Sequence, residues 1–385
     1  MKTALLGFGV VGGGTYRLAA ARPEHGIEFT RVLVRRDIPE IAPIATRAMD
    51  DILSDPAIET VVEVMGGDTP AFSYVRAALA AGKNVVTANK LMLSLHYDEL
   101  IALAREKGVR LAFSAAVGGG IPWLTNLLRV SRVDKVERLG GIMNGTTNFI
   151  LTAMQQGGAD FAVTLAEAQR LGYAEADPTA DIDGLDVRAK LALSCDVAFG
   201  QMAEAAAIPT LGIRHITAAD VALFKALGYT CRLIGRAERT PAGVAAYVEP
   251  MLFAADAPEA GVNGTGNIIS YRCAGLGSQS FFGLGAGRNP TASAVMQDLV
   301  DVACGATAFD LARCNGSFVP DASKAEHAYY LRMAAPLPEG LAAKHLGETP
   351  AGAACITCPI SVSELHALVQ ARLAKGESAF AAGLA

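Results

Sequence analysis

Three glycines near the start of the chain set the strongest constraint on its fold. Gly7, Gly9 and Gly12 end a short apolar strand pattern, KTALL, and open a helical one, VVGGGTYRLAA. In a G-x-G-x-x-G turn placed between strand and helix, the missing side chains let the backbone approach a pyrophosphate, and the helix N-terminus favours its charge. A glycine-rich structural turn is the competing reading, and context separates the two. A second strand, FTRVLVRR, follows at the distance of a mononucleotide-binding unit, and further strands in ETVVEVMGG, KNVVTANK and VRLAFSAAV alternate with helical patterns such as PAFSYVRAALAAG and LHYDELIALAREKG. That alternation predicts an α/β domain over residues 1–125, a Rossmann-type doubly wound parallel sheet. Ligands of such sheets sit outside the carboxyl ends of the strands. Met65, Gly66, Gly67, Asn89 and Lys90 are therefore expected to face the same crevice as Gly7, Gly9, Val10, Val11 and Gly12.

The end of the second strand speaks to the choice of dinucleotide. An acid usually stands there to hold a ribose 2'-hydroxyl, and this chain has Arg35 and Arg36 instead. A guanidinium suits a 2'-phosphate, so NADP(H) is expected in preference to NAD(H). The alternative is that the two arginines are solvated strand-end charges.

Beyond residue 125 the pattern changes. VERLGGIMNGTTNFIL reads as a strand passing through Asn144, Gly145, Thr146 and Thr147 into a helix, and AVTLAEAQRLG as a helix that leads to the acidic stretch YAEADPTADIDGLDVRAK. Its carboxylates are Glu175, Asp177, Asp181, Asp183 and Asp186. From Gly184 the spacing predicts a helix with Val187, Leu191, Cys195 and Ala198 on one apolar stripe. Asp186 and Lys190 lie one turn apart on it, a geometry that supports either a tuned proton donor or an ordinary surface ion pair. The segments TCRLIGRAER, GVAAYVEPMLF and NIISYRCAG predict an open sheet packed on helices, giving an α+β domain over 126–309. A second glycine turn, ending at Gly287, precedes a helix near 290–305 that is expected to pack back on the first domain. Residues 310–385 read as a small αβ appendage: strand HAYYLRMAA, short helix PEGLAAKHLGE, strand AACITCPIS and helix SVSELHALVQARLAKG.

Composition excludes several other classes of protein. A net charge of -5, with lysines and arginines dispersed, leaves no basic field for nucleic acid. Apolar runs are broken well short of a membrane span, and no cleavage-site pattern follows the N-terminus. The seven cysteines show no disulfide framework, which points to a reducing cytoplasm. Cys355 and Cys358 form a C-x-x-C with no second pair or histidine at zinc spacing, so a core role is expected for most cysteines.

Taken in order, GFGVVGGG, VVEVMGG, VVTANK, VGGGIP, GIMNGTTNFIL, YAEADPTADIDGLDVRAK and GAGRNPTASAV resemble the homoserine dehydrogenase family over residues 3–305. The resemblance implies NAD(P)H-dependent interconversion of L-aspartate 4-semialdehyde and L-homoserine by a homodimer or tetramer. It assigns Lys190 as proton donor, Asp186 as its charged neighbour, and Lys90 as a group between cofactor and substrate. Glu175, with Asp181, Gly145 and Thr146, falls to the substrate, and Gly287 to the cofactor. It also implies a sodium ion on the backbone carbonyls of Val117, Gly119 and Ile121, although Ser114 stands where the family often has a Glu. Many members carry a regulatory ACT domain, and the tail here is at most a degenerate ACT-like unit. Two alternatives stay open at this point: a related amino-acid dehydrogenase with another substrate, and a non-catalytic NAD(P)-binding regulator.

Overall fold

The alternating strands of the first third form one parallel sheet. Its strands are β1 (Lys2–Leu6), β2 (Glu28–Leu33), β3 (Ala45–Thr46), β4 (Thr60–Glu63), β5 (Asn84–Thr87) and β6 (Leu111–Ala112), in the order β3-β2-β1-β4-β5-β6. All its pairings are parallel. Leu5, Val32, Val62 and Val86 are fully buried, which is why these strands read as continuous apolar runs rather than as alternating ones. The order reverses between β1 and β4, where doubly wound sheets bind their ligands. Strand β3 was not anticipated, since two residues leave no pattern to read.

The computed structural model describes residues 1–306, 316–334 and 336–385. The chain divides into one unit of residues 1–133, 193–202 and 284–316 and another of residues 134–192, 203–283 and 317–385. The first unit is therefore discontinuous in sequence, where a single break near residue 125 was expected. The expected break at 309 lies outside the described residues. Helix Arg288–Ala303 carries Val295, Met296 and Leu299 into the same core as Leu5 and Val86. Gly14 makes that approach feasible, because a Cβ there would lie 3.1 Å from the Ala292 Cβ.

The second unit is built on a nine-stranded sheet. Its strands run, edge to edge, Gly277–Leu284, Gly266–Cys273, Val136–Ile142, Tyr229–Thr240, Gly243–Ala254, Ala379–Leu384, Tyr329–Met333, Gly352–Thr357 and Ala342–Thr349. Residues 317–385, expected as an appendage, thus continue this sheet. The junction is parallel, with Met251 opposite Gly383 and Leu252 opposite Leu384. Two buried polar clusters hold it. Glu249 accepts hydrogen bonds from His327 Nε2 at 2.7 Å, His366 Nε2 at 2.8 Å and the Tyr329 hydroxyl at 3.0 Å. Arg332 donates to Asp220 at 2.8 Å, with both side chains at 0% exposure, and Tyr330 donates to the same carboxylate at 2.6 Å.

One local expectation fails. PEGLAAKHLGE was read as a short helix, and its second half is instead the edge strand Ala342–Thr349, paired antiparallel with Gly352–Thr357. Its alanine, leucine and lysine content favours helix only weakly, and pairing in a sheet overrides propensities of that size. Gly347, at φ +102°, takes up the irregular register between His345 and Gly347.

Candidate active site

Within the parallel-sheet unit, the glycine turn has the geometry a pyrophosphate needs. Gly7 sits at φ +95°, and a Cβ on Gly12 would lie 2.2 Å from the Gly7 carbonyl oxygen, so helix Val10–Ala20 can close on the loop only with glycine at both places. A Cβ on Gly9, by contrast, would meet no protein atom within 4 Å. That side of the turn is open to a ligand, at a helix start with no acidic residue in its first turn. Val10 is exposed and Val11 half-buried beside it, and Arg35 and Arg36 are exposed just past the end of β2. Asp37, the nearest acid, is engaged by Arg47 at 2.7 Å.

The loops after β4 and β5 are tied to each other. Met65, Gly66 and Gly67 follow β4, the two glycines at φ +72° and +73°. Asn89 caps helix Lys90–Lys107 by accepting the Met92 N–H at 3.1 Å, and its amide donates to the Gly67 carbonyl at 2.6 Å. Lys90 is half-buried at the helix start. In the same unit the turn Gly118–Gly120 meets the second glycine turn backbone to backbone: a Cβ on Gly119 would lie 2.6 Å from the Gly285 carbonyl. Gly287, at φ +114°, caps helix Arg288–Ala303. The Val117–Ile121 segment is a tight turn in which Ile121 N donates to Gly118 O at 2.8 Å and the Ile121 carbonyl accepts the Trp123 N–H at 2.7 Å.

The second unit holds the ionisable cluster. Helix Leu185–Phe199 begins in this unit, where Val187 and Leu191 of the expected apolar stripe are fully buried but so is Ala192, so this part of the helix is enclosed on more than one side. That overturns the surface-pair reading, for Asp186 and Lys190 are only 8% and 7% exposed. Lys190 Nζ donates to Asp186 Oδ2 at 2.7 Å and to the Met143 carbonyl at 2.7 Å. Asn144, which the sequence reading had not singled out as a site residue, is the hub. Its amide donates to Asp181 Oδ1 at 2.6 Å and to Asp186 Oδ2 at 2.8 Å, while its Oδ1 caps helix Gly145–Gly157 through the Thr147 N–H at 2.8 Å. An Asn between a strand and a Gly-Thr-Thr helix start is the signal that could have marked it.

Burial pushes the Asp181 carboxyl up from its ordinary value. The Asn144 bond opposes that shift, the Asp186 charge adds to it and the Lys190 charge again opposes it. A Cβ on Gly145 would lie 2.9 Å from the Thr265 carbonyl oxygen, and Thr146 donates to the Tyr173 carbonyl at 2.6 Å. Thr146 thereby anchors the loop carrying Glu175, whose own carbonyl accepts from Gln169 at 3.1 Å. Glu175 is exposed, outside the buried network that joins Asn144, Asp181, Asp186 and Lys190. Cys195, Cys231, Cys273 and Cys355 are buried free thiols, and no group of three or more His, Cys, Asp or Glu side chains suited to a metal ion occurs among the described residues.

A parallel sheet in this order with an open glycine turn, and a buried ammonium held by a carboxylate, define a dinucleotide-dependent dehydrogenase that acts on a carbonyl or alcohol. Comparison with known proteins makes the class specific. Residues 7–114 match the model of the homoserine dehydrogenase NAD-binding domain, and residues 122–300 that of homoserine dehydrogenase. The chain is 41% identical to homoserine dehydrogenase of Pseudomonas aeruginosa over 87% of this chain and 82% of that one. With the Lactococcus lactis enzyme it shares 40% identity over 78% of this chain and 74% of that one. The crystal structure of homoserine dehydrogenase from Thiobacillus denitrificans superposes with a TM-score of 0.89 at 34% identity, covering 100% and 98% of the two chains. A hyperthermophilic archaeal homoserine dehydrogenase mutant in complex with NADPH superposes at 0.68 and 26% identity, over 79% and 98%. The chain belongs to the homoserine dehydrogenase family, enzymes of amino-acid biosynthesis. No helix among the described residues is long and apolar enough to cross a membrane.

Proposed function

We propose that the chain interconverts L-aspartate 4-semialdehyde and L-homoserine with Lys190 as the proton donor, and that it prefers NADP(H) to NAD(H). The observation that carries the proton-donor role is the burial of the Lys190 ammonium between Asp186 and the Met143 carbonyl. Reduction places negative charge on the aldehyde oxygen. A positioned ammonium stabilises that charge and supplies the proton that completes the alcohol. Asp186 keeps the ammonium aimed, and Asn144 keeps Asp186 aimed. In the opposite direction the same amine takes the proton back.

When bound, the dinucleotide supplies or accepts the hydride. The residues that fit it are the open backbone at Gly9, the turn Gly7–Gly12, the loop Met65–Gly67, Asn89 with Lys90, and Gly287. Arg35 and Arg36, exposed where an acid would otherwise stand, support the NADP(H) preference, and the archaeal relative's NADPH complex agrees with it. Glu175, Asp181, Gly145 and Thr146 are proposed for the substrate, a carboxylate being the natural partner of its ammonium group. A sodium ion would be held by the backbone carbonyls of Val117, Gly119 and Ile121, the last of which also accepts the Trp123 N–H, and no step runs through it. A homodimer or tetramer in the cytoplasm completes the reading, the compartment resting on the free thiols. Steady-state rates with NADPH and NADH across a panel of amino-acid aldehydes test it. A marked preference for another aldehyde would overturn the substrate, and equal kcat/KM for the two cofactors would overturn the preference.

A further inference from the structure

Glu63 is the last residue of β4, at the carboxyl end of the sheet, and its side chain has 0% exposure. Three groups donate to it, one from the loop after β4 and two from the end of β5 and the corner that follows it. The Met65 N–H lies 2.7 Å from Oε1, the Thr87 hydroxyl 2.6 Å from Oε2, and the Asn89 amide 3.4 Å from Oε1. Burial pushes the Glu63 carboxyl up, and these bonds hold it down. The Thr87 hydroxyl is used twice, since it also accepts the Asn89 N–H at 3.0 Å. Asn89 in turn grips the Gly67 carbonyl and caps the helix that begins at Lys90. On the outer side of the same loops, Asp68 bonds His96 at 2.9 Å, where non-helical backbone at His96 interrupts helix Lys90–Lys107.

A buried carboxylate is costly unless donors surround it, and an apolar side chain would fill the space at lower cost. What this one accomplishes is geometric. It fixes the Met65–Gly67 turn and the Asn89–Lys90 corner relative to each other, and both border the dinucleotide crevice. We propose that Glu63 is a positioning residue, acting on the cofactor through Met65–Gly67 and Asn89. The inference rests on the assignment of those loops to the dinucleotide, and its first readout is NADPH binding, which needs no turnover.

The experiment measures the Kd for NADPH by fluorescence titration of purified Glu63→Gln, Thr87→Val and Thr87→Ser, together with Tm and the KM for aspartate semialdehyde. Glu63→Gln keeps the shape but turns an NH2 group toward donors. Its Kd for NADPH is expected to rise about tenfold, the factor that 1.4 kcal/mol carries, with the aldehyde KM nearly unchanged. Thr87→Val should weaken NADPH in the same direction, and Thr87→Ser, which keeps the hydroxyl, should rescue it. An unchanged Kd in folded Glu63→Gln, or equal increases for NADPH and aldehyde, would overturn the proposal. If Glu63→Gln does not fold, Thr87→Val decides, and wild-type affinity in that variant refutes the role. Failure of the loop assignment itself would appear separately, as wild-type NADPH affinity that is insensitive to Asn89→Ala.

Discussion

Replacing Lys190 by Ala should produce two separable losses. The first is chemical: removal of a positioned proton donor lowers kcat by about 10²- to 10⁴-fold. The second is structural, because Asp186 is 8% exposed and the variant leaves its carboxylate buried without the Lys190 ammonium. Breaking one side of a buried pair costs about 3–5 kcal/mol. In a folding unit of this size that lowers Tm by roughly 6–20 °C. Neutralising Asp186 as well separates the two effects, since removing both charges of a buried pair is often nearly neutral. The double variant Asp186→Asn/Lys190→Met should therefore regain most of the lost Tm while kcat stays low. NADPH affinity should remain near wild type in both, because the glycine turn, Arg35 and Arg36 belong to the other unit. Thermal unfolding followed by circular dichroism, steady-state kinetics and NADPH titration supply the readouts. Near-normal kcat in the single variant, or turnover that returns with Tm in the double variant, would refute the proton-donor role.

Arg35→Ala should raise the KM for NADPH about tenfold and leave that for NADH nearly unchanged, given ~1.5–3 kcal/mol for a charge-assisted bond; equal effects on both cofactors would deny a phosphate-reading role. Gly12→Ala and Gly9→Ala should differ in kind. The first places a Cβ 2.2 Å from a carbonyl oxygen and should lower Tm as well as NADPH affinity. The second meets no protein atom and should weaken NADPH alone, which paired melting and titration experiments distinguish. Glu249 should contribute to acid stability. Burial pushes its carboxyl up, but the His327 and His366 bonds more than offset this and hold it at about 2. Because its folded-state value lies below the ordinary one near 4.3, its contribution is complete above that pH and lost as pH falls toward 2. The amount is roughly 3 kcal/mol at 1.36 kcal/mol per pH unit. Glu249→Gln should be less stable than wild type at neutral pH and should lose less on acidification; parallel pH profiles for the two proteins would contradict this.

The parallel sheet was legible because its signals are local. Glycines that need positive φ or close approach, and strands buried on both faces, leave their mark within a few residues. The Asp186–Lys190 pair was legible as spacing but not as environment, since burial depends on what packs against helix Leu185–Phe199 from remote segments. Asn144 and Glu63 were missed for a related reason. Each acts by joining loops distant in sequence, and a polar residue beside a strand end has many ordinary explanations until its partners are known. The tail misled for a different reason: Ala342–Thr349 has weak local preference and becomes a strand only through Cys355 and its neighbours on the adjoining strand.

The absorbance of NADPH, followed as the purified protein meets L-aspartate 4-semialdehyde with the product identified by mass, decides whether the chain carries out this reduction. NADPH oxidation stoichiometric with formation of L-homoserine is expected, with that turnover lost in Lys190→Ala. A wild-type protein that binds NADPH but never oxidises it with this aldehyde would contradict the proposed reaction.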